Sequence, residues 1–188
     1  MSRNKEYDEQ ITKFKSTFEN FDFEEYGLYR EEVLFKIHTL LDDMQAVYEA
    51  KDSDYSENDL PMGNLLESQE LGIAPWKGVL LRIGDKKRRI GSFVKKQEFL
   101  VKDEAVNDTL VDMANYSMLG FVLWAQKFDF SYENSEVVNS WEWLALNCIL
   151  TKVLFDHKNI VGVSDWAQIG WPEILRHYNV LAEFARNN

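Results

Sequence analysis

The sequence predicts an all-α fold, a bundle of about five to seven helices, and three observations favour it. Only 3 prolines and 9 glycines occur in 188 residues, which favours long uninterrupted elements over a turn-rich β architecture. Apolar residues recur at spacings of three and four along most of the chain. We find no segment with the alternating pattern of a strand. Because 45% of the residues are hydrophobic, the chain can bury a core, and its length suits one domain.

The periodic segments divide residues 1–188 into three parts of that domain. Residues 1–28 form an N-terminal helix, at 4–20, and an aromatic-acidic connector. Residues 29–130 form the helical core, which carries the candidate site, and 131–188 form a helical extension. Within the core, the pattern predicts a helix over 29–50 and a polar loop over 51–62.

Later helix boundaries follow from proline, capping residues and apolar periodicity. Pro75 occupies a first helical turn, so a helix is expected to run from there to residue 96. A long helix begins at 102 or 103 and ends near 128, and another spans 135–155. That last helix is apolar nearly all round, which is typical of a core helix or a subunit interface. Ser164 can cap a short helix, and Pro172 is expected to begin the final one.

Charge and cysteine content limit the compartment and the partners. A net charge of -11 disfavours contact with anionic membranes and with double-stranded nucleic acid. The single Cys148 cannot form an internal disulfide, so we expect a reducing cytoplasm, the host cytoplasm if the chain is viral. The sequence has neither a signal-peptide pattern nor a membrane-spanning apolar run. The large apolar surface around residues 18–29 and 141–154 predicts a homodimer or a higher oligomer.

The most informative pattern is a row of polar side chains on the helix after residue 103. Glu104, Asp108, Asp112 and Asn115 fall within an arc of about 80° on an ideal helix. Like charges at this spacing repel one another, and the remaining faces of the helix are apolar, so the row should face a cleft with a compensating charge. Hard carboxylate ligands suit Mg²⁺ or Mn²⁺. The alternatives are stabilisation by the helix dipole or a buried ion-pair network with neighbouring arginines.

A basic helix precedes this acidic row. Arg82, Asp85, Lys86 and Arg89 share one helix face, in a cluster of cations unusual for so acidic a chain. Arginine contacts phosphate through two hydrogen bonds, and lysine acts as a point charge. Taken alone, the pattern also fits a solvated face that balances nearby acids. Next to the acidic row, it indicates a site for a metal–phosphate ligand.

A third pattern is weaker. Lys51, Asp54 and Tyr55 follow the helix over 29–50, and there a tyrosine could stack on a base while the aspartate orients a ligand. An ordinary turn after a helix end explains this composition equally well. The sequence has no Walker-type phosphate loop, zinc-ligand spacing or Ser-His-Asp set, and we expect the three histidines to be surface or capping residues.

Together these segments resemble the nucleotide modification associated domain family of phages and bacteria. The resemblance rests on Lys51-x-x-Asp54-Tyr55, Asp85-Lys86-x-x-Arg89 and the run from Glu104 to Tyr116, about a third of the chain. More distantly, acids on neighbouring helices of a bundle are similar to the MazG and dimeric dUTPase group of Mg²⁺-dependent nucleoside triphosphate pyrophosphohydrolases. Those proteins place acids at i, i+3 on each of two helices, whereas here the spacing is i, i+4, i+8.

The resemblance implies a MazG-like core and a nucleotide ligand. In that interpretation Glu104, Asp108 and Asp112 bind the metal and act in catalysis, with Asp54 or Asp85 contributing. The substrate-binding residues would be Lys51, Asp54, Tyr55, Arg82, Lys86, Arg89, Asn115 and Tyr116. Two other classes stay open: a protein that binds a nucleotide without turnover, as a sensor, sponge or accessory, and a structural module in which the charged helices only pair internally.

Overall fold

The structure is a computed structural model, and it describes residues 3–23, 29–55, 63–96, 106–156 and 163–188. Within these ranges all regular structure is helical, which confirms the predicted all-α bundle. The helices are α1 (Arg3–Glu19), α2 (Arg30–Tyr55), α3 (Gly63–Leu66), α4 (Pro75–Lys96), α5 (Val106–Ala125), α6 (Ser135–Asp156) and α7 (Val163–Asn187). Short 3-10 turns at Glu67–Leu71 and Tyr132–Asn134 precede α4 and α6.

Helices α4 to α7 form the centre of the bundle. Each packs on the next along the chain, and α4 also contacts α7, so the four helices close on themselves. Helices α1 and α2 pack on each other and cover this unit from outside, with contacts to α5 and α6. Helix α5 therefore has neighbours on several sides, and its side chains are buried from Met113 to Trp124 with the exception of the half-buried Asn115 and Tyr116.

Helix α6 is a core helix, the first of the two possibilities that its apolar sequence left open. Trp141, Leu144 and Ile149 are almost completely buried between α5 and α7. The free thiol of Cys148 is buried as well, and burial raises its pKa far above the usual range. Among the described side chains of α6, Trp143 is a large apolar residue that contacts solvent, at 42% exposure. Much of the surface that predicted an oligomer is therefore used inside the chain.

The predicted loop over 51–62 is wrong in its first part, because α2 continues to Tyr55. Aspartate and serine disfavour a helix by only a few tenths of a kcal/mol each, so a helix already propagating can extend through them. Residues 56–62 lie outside the described part of the chain.

The predicted boundary at Pro172 is also wrong. A single helix, α7, runs through it from Val163 to Asn187. Proline removes one intrahelical hydrogen bond and usually ends or bends a helix. Here the ring lies on the exposed side, while Ile174, His177 and Leu181 anchor the following turns in the core. Burial of that face outweighs the local preference.

Close packing of α5 on α6 depends on Gly120. A Cβ atom at this position would lie 2.5 Å from the six-membered ring of Trp141, well inside van der Waals contact. Both residues are fully enclosed, so the ring has little room to move. The missing side chain is thus what lets the indole lie against the α5 backbone.

We predict that Gly120→Ala lowers the free energy of unfolding by about 1–3 kcal/mol, because it overpacks this contact. In an open helical position the same change would stabilise the chain by about 0.5–1 kcal/mol. Chemical denaturation measures the difference. Trp141→Phe removes the atoms that the new methyl meets, so the penalty of Gly120→Ala should shrink in that background. An equal penalty in both backgrounds would contradict the packing argument.

Candidate functional site

The polar row of α5 meets the basic face of α4 at one direct contact. The Lys86 ammonium donates to the Asp112 carboxylate at a distance of 2.6 Å between Nζ and Oδ2. The two side chains are 23% and 31% exposed, so the pair lies at the edge of the groove between the helices and not in the core. Lys86 therefore supplies the counter-charge that the sequence pattern required.

The other members of the basic face are arranged differently. Arg82 is exposed, and Arg89 is half-buried one turn beyond Lys86. Asp85 pairs with Arg88 on the same helix, and both of these side chains are largely exposed. The structure therefore turns Asp85, which the resemblance assigned to the metal, away from Asp112 and towards solvent.

The next polar residue of the row is held by α1. The Tyr7 hydroxyl donates to Oδ1 of Asn115 at 2.6 Å, and the Tyr7 ring stacks on Tyr48 of α2 with centroids 4.2 Å apart. Burial, with smaller contributions from Tyr48 and Asp8, raises the pKa of Tyr7 far above its usual range, so the hydroxyl keeps its proton. Since Oδ1 is the acceptor, the Asn115 amide group presents its NH₂ to other partners.

Sequence reasoning missed Tyr7 and assigned no site role to Tyr48. The only local signal for Tyr7 is that it continues the buried stripe of Ile11, Phe14 and Phe18 by one turn. Tyr116, assigned to the ligand, is half-buried and packs against the core.

The predicted metal ligands are only partly brought together. Asp108 lies one helical turn before Asp112 and is exposed, while Glu104 falls outside the described residues. Among the residues that the structure describes, no group of three or more His, Cys, Asp or Glu side chains is positioned to hold a metal ion. The side chains of Lys51, Asp54 and Tyr55 also lie outside the description, although their backbone belongs to α2.

Comparisons with protein-family models, curated proteins and solved structures found no match, so the resemblance stays a prediction. Of the helices in the described ranges, none is long and apolar enough to cross a membrane.

A second polar cluster is buried between α6 and α7, and its histidine contradicts the expectation of a surface or capping role. His177 is 3% exposed. Its Nε2 lies 2.8 Å from the Arg176 guanidinium and its Nδ1 lies 3.2 Å from Oγ of Ser140. Arginine can only donate, so Nε2 accepts and Nδ1 carries the proton towards Ser140. Burial, and then the charge of Arg176, lower the pKa of His177 to about 4, against an opposing effect of Glu173.

We predict that this histidine makes stability depend on pH. Its folded pKa of about 4 lies below the unfolded value of 6.5, so the unfolded chain binds more protons between these limits. The free energy of unfolding should therefore fall by about 1.5 kcal/mol between pH 6.5 and 5. Denaturant titrations at several pH values measure the slope. His177→Asn can retain the donor to Ser140, and it should remove the contribution of the histidine to this slope.

The matched control is His38→Asn on α2, a half-buried histidine with solvent contact. Measured in parallel, it reports how much of the slope comes from a histidine outside the buried cluster. Equal slopes in the wild type and in His177→Asn would contradict the assignment.

Proposed function

We propose that the groove between α4 and α5 binds a nucleotide through its phosphates, together with Mg²⁺ or Mn²⁺, and that the chain hydrolyses a phosphoanhydride bond of that nucleotide. The observation that carries this proposal is the contact between Lys86 and Asp112. In this contact, a lysine of the kind that binds phosphate lies beside a carboxylate of the kind that binds Mg²⁺.

The pair can be exchanged for a ligand at small cost. A partly exposed ion pair contributes about 0–1 kcal/mol to stability, because water solvates both charges well. A metal–phosphate complex offers each partner a replacement of the right charge: Lys86 turns to a phosphate oxygen, and the Asp112 carboxylate binds the cation. No charge is left uncompensated when the original contact opens.

The donor set of the described residues fits Mg²⁺ in its usual protein form. Magnesium is commonly held by one or two carboxylates plus substrate phosphates and water, so a cluster of three protein ligands is not required. Asp108 and Asp112, one turn apart on α5, supply two carboxylates, and Glu104, a third ligand expected from the sequence, lies outside the described residues. A bound metal polarises a phosphoryl oxygen and lowers the pKa of an attacking water.

Other residues would position the ligand. Arg89, next to Lys86 on the same face of α4, can contact phosphate oxygens, and exposed Arg82 can reach the outer part of a phosphate chain. The NH₂ group of Asn115, oriented by Tyr7, can donate to a base or ribose. The resemblance implies cleavage between the α and β phosphates, which releases a nucleoside monophosphate and pyrophosphate. The alternative is a protein that binds the nucleotide without turnover, and product analysis by phosphorus NMR separates the two.

We predict that Asp112→Asn and Arg89→Ala weaken nucleotide binding for different reasons. The first removes a metal ligand, so the loss should require Mg²⁺ or Mn²⁺. The second removes a charged hydrogen bond worth about 1.5–3 kcal/mol, and the loss should occur with or without metal. Calorimetric titration of a panel of nucleoside triphosphates, with and without Mg²⁺, measures both, and thermal denaturation of the free proteins reports the effect on the fold.

The chain offers matched controls for both variants. Asp42→Asn breaks another interhelical lysine–aspartate pair, with Lys15 on α1, whose length is also 2.6 Å. Arg88→Ala removes a neighbouring arginine that faces solvent. Both controls should bind as the wild type does. The proposal would be contradicted if the wild-type protein bound no nucleotide in the panel and if Asp112→Asn and Arg89→Ala only lowered the stability. That result would support the internal ion-pair interpretation.

We also propose that the chain assembles as a homodimer or higher oligomer in a reducing cytoplasm. Large apolar side chains outside the core support assembly, among them Tyr29 at 83% exposure and Phe35 at 72%. Light scattering at micromolar concentration should give a mass above that of one 22.1 kDa chain. A single-chain mass over the whole concentration range would refute it.

A further inference from the structure

A large cavity opens at the end of the bundle away from the groove. It lies between the 3-10 turn before α4, the first turn of α4 and the end of α5, and its volume is about 820 Å³. Cavities of roughly 300–1,000 Å³ are the usual size for small-molecule sites. The left-handed Gly72, with φ of 71°, shapes the rim by turning the chain from the 3-10 turn back towards α4.

The charged side chains of the cavity are both cationic. Lys77 lines it from α4 and Lys127 from the end of α5, Asn188 lines it from the end of α7, and none of the lining side chains is a carboxylate. Over the described ranges, neither ammonium has a carboxylate within ion-pair distance. In a chain of net charge -11, a pocket whose charged side chains are both lysines is a local reversal of charge. Such a pocket attracts an anion.

The floor of the same cavity is aromatic. Trp76 and Phe128 both line it, and their rings meet edge to face with centroids 5.9 Å apart. The Lys77 ammonium lies 5.4 Å from the centroid of the Trp76 ring. The Trp76 indole nitrogen is buried and has no hydrogen-bond partner among the described residues. The amide side chains of Gln69 and Gln126 add neutral polar groups to the wall.

From these features we infer that the cavity is a second ligand site, for a small organic anion with a flat apolar body. The anionic group would lie between Lys77 and Lys127, and the body would lie against Trp76 and Phe128. Aromatic rings favour stacked or edge contacts with a flat body, and the lysines neutralise the charge that such a body carries into the pocket.

This site is separate from the groove of the proposed function. Lys77 and Lys86 are nine positions apart on α4, which is about 14 Å along the helix axis. The inference therefore does not depend on nucleotide binding, and the two proposals can fail independently.

The test uses 1-naphthoate as the probe, with two partial analogues. Neutral 1-naphthalenemethanol has the flat body without the charge, and inorganic phosphate has the charge without the body. Titration calorimetry should show saturable binding of 1-naphthoate, and both analogues should bind about tenfold more weakly or worse, since each lacks one class of contact. In ¹H–¹⁵N spectra the Trp76 indole signal, assigned with Trp76→Phe, should move on titration. The signal of Trp141, which is buried against Gly120, should not.

The double variant Lys77→Gln/Lys127→Gln should bind 1-naphthoate about tenfold more weakly than the wild type. Its matched control is Lys95→Gln/Lys96→Gln, which removes the same charge from exposed positions about 27 Å further along α4. Equal losses in the two double variants would show only a general charge effect and would overturn the inference. The inference would also be overturned if 1-naphthoate showed no saturable binding, if the Trp76 signal did not move, or if either analogue bound as tightly as 1-naphthoate.

Discussion

Helix α5 is enclosed by neighbouring helices over most of its length, and its polar groups find partners on those neighbours or on its own backbone. Asp112 meets Lys86 of α4, Asn115 meets Tyr7 of α1, and the Ser117 hydroxyl donates to the backbone of Met113. A buried polar group without a partner costs about 1–3 kcal/mol, so the contact between Tyr7 and Asn115 favours one packing of α1 on α5. The partly exposed pair of Lys86 and Asp112 marks the groove between α4 and α5.

The groove between α4 and α5 is thus a contact between two helices, and its charges of opposite sign are also accessible to solvent. The interpretation as an internal ion pair and the interpretation as a ligand site use the same two residues, Lys86 and Asp112. What favours a ligand is the partial exposure of the pair and the further cations along α4. If these two positions served only stability, well-packed apolar side chains there would stabilise the fold at least as well as the ion pair.

The opposite end of the bundle is organised by aromatic contacts. Trp124 stacks on Phe128 with centroids 5.4 Å apart, and both rings contact Phe184 of α7. Trp76 of α4 contacts Phe128 and Phe184, so the cluster joins the end of α5 to the start of α4 and the end of α7. This apolar floor with two lysines beside it differs in kind from the groove, where a lysine pairs with an aspartate.

The sequence by itself determined the helical class and most helix bounds, because apolar periodicity and Pro75 are local signals. It also identified the row of Asp108, Asp112 and Asn115, since spacing along one helix fixes which side chains share a face. Only the tertiary structure decided that Lys86 reaches Asp112 while Asp85 turns to Arg88, that Tyr7 holds Asn115, and that His177 is buried. These outcomes depend on how distant helices are rotated against one another, and local spacing does not encode that rotation. The same reason explains Pro172, where burial of the following turns overrides a local preference to end the helix.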